Sequence, residues 1–132
     1  RLSLVGSEMC IRDRSWHEVP DAAAVARALA EPLSAVPVRV AGRALVLTRD
    51  GAGQLRALAN ECPHQGATVC RSPSSGADHL ECPNHFWVFD LAGTFEGSRL
   101  ALAAGRTAPP DPAKNLAERP CREVAGVVEV QL

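Results

Sequence analysis

Tyrosine is absent from this chain of 132 residues, and aromatic residues of all kinds make up only 4% of it. Three of the five that exist stand together at Phe86, Trp87 and Phe89, so that stretch is singled out by composition alone. No run of 18 apolar residues occurs, which excludes a helical transmembrane anchor. No apolar segment follows the positive charges at the start, so no secretory signal peptide is expected. Neither sign of charge dominates: 14 Lys and Arg stand against 15 Asp and Glu, a formal net charge of −1. No basic excess exists to suit nucleic acid or an anionic membrane surface. Internal repeats are also missing. Histidine is scarce, with four residues in all.

Leu4 to Arg14, read LVGSEMCIRDR, resembles the in-frame translation of a common sequencing-library adapter. Residues 1–14 are therefore expected to be a non-native or disordered tail, with the natural reading frame beginning upstream or cut, and they are set aside from fold reasoning. Cys10 then has no role. Removing that segment's three Arg and two acidic residues leaves 11 basic and 13 acidic residues in the 118 that remain. That length suits one domain with one core, expected over 15–132.

Local patterns along the domain are mostly those of strands. Trp16 to Val19 reads as a first strand, with His17 an ordinary strand residue. Asp21 is placed to cap a short helix over Ala22 to Ala30, which Pro32 ends; Val25 and Leu29 share its apolar face. Val36 to Val40 and Ala44 to Thr48 are β-rich and separated by Gly42. A turn over Arg49 to Gly53 leads to Gln54 to Ala59, where Leu55, Ala57 and Ala59 alternate with Gln54, Arg56 and Leu58 as in a half-buried strand. Three strands in hairpin order argue for an antiparallel, all-β architecture. Further on, Arg71 to Asp78 is turn chemistry, and His79 to Glu81 and Phe86 to Phe89 read as strands. His79 is expected to play an ordinary polar role. The aromatic residues at 86–89 are expected to be core. Arg99 to Arg106 is Ala-rich and ambiguous, and Ala108 to Pro112 is linker-like. Leu116 to Val124 and Gly126 to Gln131 read as a closing hairpin.

The chemistry-bearing residues lie between 62 and 85. Cys62-Pro63-His64-Gln65-Gly66-Ala67 and Cys82-Pro83-Asn84-His85 each offer one thiolate and one imidazole, with 17 residues between His64 and Cys82. Pro63 and Pro83 fix φ just after each cysteine, and Gly66 permits close backbone approach. A Cys and a His so near each other cannot wrap one metal alone, whereas two facing loop tips can clamp a two-iron core from both ends. Structural zinc can use the same side chains, but usually with Cys-x2–4-Cys and His-x3–5-His spacing. Two cysteines and two histidines falling in loops by chance is the remaining alternative. Cys70 and Cys121 are expected to be small buried hydrophobes and not a bridge, which fits a reducing, cytoplasmic setting.

The two loops, CPHQGA and CPNHFWVFD, resemble those of the Rieske iron–sulfur family, whose second loop is usually closer to CPYHGWxFD. The resemblance implies a [2Fe–2S] cluster with Cys62 and Cys82 on one iron and His64 and His85 on the other. It also implies a Rieske-type antiparallel β sandwich with a small cluster-binding subdomain of two hairpin loops, here with one short N-terminal helix. Imidazole in place of two thiolates removes negative charge, which makes adding an electron less unfavourable than in an all-Cys cluster. The imidazoles should lose protons more readily when the cluster is oxidised, so the potential is expected to depend on pH. High-potential Rieske proteins carry an extra bridging Cys in each loop. Ala67 and Asn84 stand there in this chain, and the hydroxyl those proteins direct at sulfur is missing too. A low-potential centre, toward the bottom of the family's range of about −150 to +300 mV, is therefore expected. Phe86 replaces the usual Gly after the second His, which touches local geometry.

Three functions follow as expectations. One is an electron-transfer protein passing single electrons from a flavin-linked reductase to a terminal oxygenase. A second is an N-terminal Rieske domain from a ring-hydroxylating oxygenase large subunit, suggested by the opening Trp16 and a tail longer than that of a Rieske ferredoxin. The third is a degenerate, non-redox binding domain. The mononuclear iron site of an oxygenase, with two His and one carboxylate, is not expected within this chain, because only His17 and His79 remain. No nucleic acid or membrane partner is expected.

Overall fold

A computed structural model describes residues 16–64 and 66–132. The expectations for residues 1–14 and for Cys10 lie outside those residues. Eleven strands are present among the described residues, and every strand pairing is antiparallel. They form three sheets, with the orders β1-β11-β10, β5-β2-β3-β4-β9 and β6-β7-β8.

The five-stranded sheet is the wall of the molecule. Its long strands are β2 (Ser34–Val40), β3 (Arg43–Arg49) and β4 (Leu55–Ala59), flanked by the two-residue strands β5 (Ser74–Ser75) and β9 (Glu118–Arg119). Successive side chains of a strand point to opposite faces, and here both faces are covered. On one face Val36, Val40, Leu45, Leu47 and Ala57 pack with Val25, Leu29, Val128 and Val130. On the other, Ala35, Val46 and Leu58 pack with Cys62, Cys70, Leu80, Cys82 and Phe89. The expectation that β4 is half-buried is thereby corrected. Ala57 and Leu58 are both fully buried, because a second layer covers the face that the sequence leaves to Leu58.

The outer layer comprises β1 (Trp16–Glu18), β10 (Cys121–Val124), β11 (Val127–Gln131) and the helix α1 (Ala22–Ala28). Val25 and Leu29 are buried as their spacing suggests. Asp21 differs from expectation: it is left-handed at φ +58° and its side chain makes no capping bond. The helix is also shorter than its alanine run, since Ala30 already lies past the last turn. Two hairpins share one turn chemistry. Ala41-Gly42 joins β2 to β3 and Ala125-Gly126 joins β10 to β11, with all four residues at positive φ, as a two-residue type I′ turn requires.

The third sheet, β6 (His79–Glu81), β7 (Trp87–Asp90) and β8 (Phe95–Ser98), is a meander over the inner face of the wall. Thr48 in β3 donates a 2.7 Å hydrogen bond to the Leu91 carbonyl and pins the meander to the wall. Beyond β8 come a second short helix, α2 (Arg99–Ala103), and a 3-10 turn at Pro112–Lys114. The expected single helix is thus joined by another, whose start is capped by Ser98 Oγ accepting from the Ala101 N–H. The expected linker over Ala108 to Pro112 is tied down at both ends. The Ala108 N–H donates to Glu96 O, Asn115 Oδ1 accepts from the Phe95 N–H, and the Leu116 N–H donates to Gly93 O. Leu116 is buried in the inner core, so the closing strands begin after it. Among the described residues no helix is long and apolar enough to cross a membrane.

Candidate cluster-binding site

Two loops meet at one end of the meander, and their backbones are built alike. In the first, the Cys62 N–H donates to Ala67 O at 2.8 Å and the Gly66 N–H donates to Cys62 O at 2.7 Å. In the second, the Cys82 N–H donates to Trp87 O at 2.8 Å and the Phe86 N–H donates to Cys82 O at 2.9 Å. Each loop is therefore a closed five-residue tip starting at a cysteine. The fifth residue of each tip is left-handed: Gly66 at φ +74° and Phe86 at φ +58°. Phe86 adopts the conformation that favours glycine although it carries a Cβ.

The first tip is anchored from below by Asn60, a buried residue that no sequence pattern marked. Its Oδ1 accepts from the N–H groups of Val69 and Cys70 at 3.1 and 2.7 Å, and its Nδ2 donates to Cys70 O at 2.7 Å. Its own N–H donates to Ala44 O, joining the loop to the central sheet. The second tip needs no such anchor because β6 and β7 flank it directly.

The four sequence-predicted residues fall where the loops meet. Cys62 and Cys82 are buried in the inner core, with 2% and 1% of their surface exposed. His64 and His85 lie on the exposed side, with ring centroids 4.5 Å apart and planes at 74°. Thiols inward and imidazoles outward is the polarity expected of a mixed Cys/His centre. Among the described residues no three His, Cys, Asp or Glu side chains converge on a single ion position. His17 lies in β1 opposite Val130, and His79 pairs with the neighbouring Asp78 carboxylate at 3.2 Å, so both keep the ordinary roles expected of them.

An aromatic series runs inward from the histidines. Trp87 stacks on His64 at 4.6 Å with planes 10° apart, Phe95 lies 4.5 Å from Trp87, and Phe89 lies 6.0 Å from Phe95. The expectation that the 86–89 aromatics form core therefore holds for Phe89, which is buried, and in part for Trp87. It is corrected for Phe86, which precedes the strand and is 38% exposed. Its ring lies under the Arg99 guanidinium at 4.2 Å, its carbonyl accepts from the Arg99 N–H, and Arg99 also pairs with Glu81. Cys70 is buried beside this region, and burial pushes its thiol pKa up, against a weaker lowering from the Ser72 backbone. Cys121 is only half-buried, and burial likewise raises its thiol pKa.

Comparison with known proteins decides what kind of site this is. The family model for the Rieske [2Fe-2S] domain matches residues 15–103. This chain belongs to the Rieske [2Fe-2S] domain family. The family implies a Rieske-type [2Fe–2S] cluster, and the donor set fits one. Two buried thiols in one core suit one iron, and two adjacent imidazoles suit the other. Similar curated proteins include subunits of a demethylase, a dioxygenase and a monooxygenase. An N,N-dimethyl phenylurea N-demethylase subunit alpha from a Sphingobium species is 35% identical over 54 residues, 41% of this chain and 12% of that protein. The anthranilate 1,2-dioxygenase large subunit of Acinetobacter baylyi is 34% identical over 58 residues, 44% of this chain and 12% of that protein. The carnitine monooxygenase oxygenase subunit of Acinetobacter baumannii is 35% identical over 75 residues, 57% of this chain and 19% of that protein. The Rieske domain described here thus spans under a fifth of the length of these relatives. Solved structures agree on the fold. A quaternary ammonium Rieske monooxygenase with L-carnitine bound gives a TM-score of 0.69 at 24% identity, covering 94% of this chain and 34% of the other. A naphthalene 1,2-dioxygenase with indole bound gives 0.70 at 19% identity, covering 89% and 26%.

Proposed function

We propose that this Rieske domain is the electron-receiving part of an oxygenase large subunit, with residues 15–132 as one domain. The similarity to short stretches of much longer oxygenase subunits carries this reading. The same similarity favours it over a standalone ferredoxin-like carrier. The electron donor would be a flavin-linked reductase and the acceptor the oxygenase's own catalytic site, in a cytoplasmic setting consistent with unbridged thiols at Cys70 and Cys121.

In this reading Cys62 and Cys82 hold the buried iron, and His64 and His85 hold the outer one. The cluster, when bound, supplies a one-electron carrier. Leu80, Phe89, Leu91 and Phe95 keep water from the thiolate side, and an apolar shell of that kind tunes potential. Trp87 fixes the plane of the His64 ring by stacking on it. The exposed edges of the two imidazoles give the shortest path to a partner.

Anaerobic reconstitution with iron and sulfide, followed by EPR of the dithionite-reduced protein, tests the assignment. A [2Fe–2S] signal with nitrogen hyperfine coupling is expected. That coupling should weaken in His64→Ala and in His85→Ala, and the cluster should be lost in Cys62→Ala. A reconstituted protein without such a signal would instead support the degenerate binding domain.

A further inference from the structure

The segment 106–116 lies beyond the stretch matched by the family model, and its prolines suggest a plain connection. It is instead a strap laid across the meander. Ala108 bonds Glu96, Asn115 bonds Phe95, and Leu116 bonds Gly93. The seat of Leu116 is shaped for it. A Cβ on Gly93, which is at φ +87°, would meet Leu116 O at 3.2 Å and Leu116 Cβ at 3.3 Å. Asp111 Oδ1 accepts from the Ala113 N–H and starts the 3-10 turn whose last residue is Lys114.

These contacts deliver one cation to a defined place. The Lys114 ammonium lies 5.3 Å from the centroid of the Phe95 ring and 5.6 Å from that of Trp87. Trp87 in turn stacks on His64 at 4.6 Å. Lys114 is half-buried, so bulk water screens its charge less than it would a free surface lysine. Faces of aromatic rings attract cations, which explains why the chain stays there.

We infer that Lys114, held over Trp87 and Phe95 by the 106–116 strap, is a fixed positive charge that favours the reduced state of the cluster. The inference rests on the ligand assignment proposed above. Its physics is a difference between two charge states. With two thiolates and two neutral imidazoles, the oxidised centre is formally neutral and the one-electron-reduced centre carries −1. A nearby cation stabilises the second state and leaves the first nearly unaffected. The reduction potential is therefore higher with Lys114 than without it. Lys114 acts as a positioning residue, through charge and not through contact with the ligands.

The test is the midpoint potential of the reconstituted protein, followed optically, in Lys114→Met, Lys114→Glu and Lys114→Arg. Methionine keeps an unbranched apolar stem of similar length and removes the charge. The expected order is Arg equal to wild type, Met lower, and Glu lowest, with the spread narrowing as salt is raised. A role confined to packing would leave the Met variant at the wild-type potential, and that result would overturn the inference. Should wild-type protein give no nitrogen-coupled EPR signal, the ligand assignment fails first. A normal signal with an unmoved potential refutes the role of Lys114 alone. If Lys114→Met does not fold, Lys114→Gln provides the same removal of charge with a polar end that suits the half-exposed position.

Discussion

Phe86 shows how a single residue can break a local rule inside a site. The second tip closes by the same two backbone hydrogen bonds as the first, and its fifth residue must be left-handed to do so. Gly66 does this freely. Phe86 does it against a steric cost of roughly 1–2 kcal/mol, with Arg99 over its ring returning about 0.5–1 kcal/mol. Separating those effects needs two variants. Phe86→Ala removes the ring and keeps the strain, whereas Phe86→Gly removes both. The glycine variant is expected to be more stable than the alanine variant by about 1 kcal/mol in urea unfolding. That reverses the usual order at an unstrained position, and the usual order would show that the turn is not left-handed in solution. Asn60 presents the opposite case, a residue that obeys its rule but leaves no trace in sequence. Three buried hydrogen bonds depend on its amide. Asn60→Ala is expected to cost roughly 2–4 kcal/mol by leaving buried backbone groups of Val69 and Cys70 without that partner. Faster loss of iron under chelator challenge should accompany the drop, because the first tip hangs from this residue.

Between residue and molecule stand the turns and short elements, where sequence reading is most uneven. The hairpin strands were legible because they are rich in β-branched and aliphatic residues, with alternation in Gln54 to Ala59, and their turns hold Gly42, Gly53 and Gly126. The two Cys/His loops were legible as a pair of tips because each carries a Cys-Pro step with a histidine two or three residues after the cysteine. The two-residue strands β5 and β9 were not, since each is defined only by a partner far away in the chain. The Ala108 to Pro112 part of the strap looked like a linker for the same reason: the order of the strap comes from Gly93, Phe95 and Glu96, not from its own composition. The β3–β4 turn offers a test at this scale. Asp50 Oδ1 accepts from the N–H groups of Ala52 and Gln54, and its other oxygen pairs with Arg56 at 2.6 Å. The Gln54 bond foremost, then Arg56, holds the Asp50 carboxyl below its ordinary value of 3.8. A lowered pKa in the fold means that the ionised form is the one stabilised. The contribution is complete above the ordinary carboxylate pKa and disappears as pH falls through the folded value. Asp50→Asn should therefore lower stability at neutral pH, and its deficit relative to wild type should shrink on acidification. A deficit independent of pH would assign the turn's stability to shape alone.

At the scale of the whole molecule, the central sheet keeps two cores apart and makes them depend on each other. One core joins it to α1 and the β1-β11-β10 sheet, and the other joins it to the meander and the two tips. The sequence suggested one face of this wall, through Leu55, Ala57 and Ala59, and missed the other, because a strand covered on both sides loses its polar alternation. Leu58 and Val46 are the residues that face the tips. Thr48 crosses the boundary with its hydrogen bond to Leu91, 43 residues further along the chain. If the wall is shared in this way, damage to either core should be felt in a single unfolding transition. Val130→Ala, in the outer core, is expected to cost roughly 1.5–3 kcal/mol, as deletion of a buried apolar side chain does. Thr48→Val removes the donor to the Leu91 carbonyl and is expected to cost about 1–3 kcal/mol. In both variants fluorescence of Trp16, in the outer layer, and of Trp87, beside the tips, should change together, as read in a Trp16→Phe and a Trp87→Phe background. Only Thr48→Val should also shift the reduction potential, since it alone frees the meander that carries Cys82 and His85. Separate transitions for the two tryptophans would mean that the tips fold as an independent unit, with the central sheet serving as their neighbour and not as their foundation.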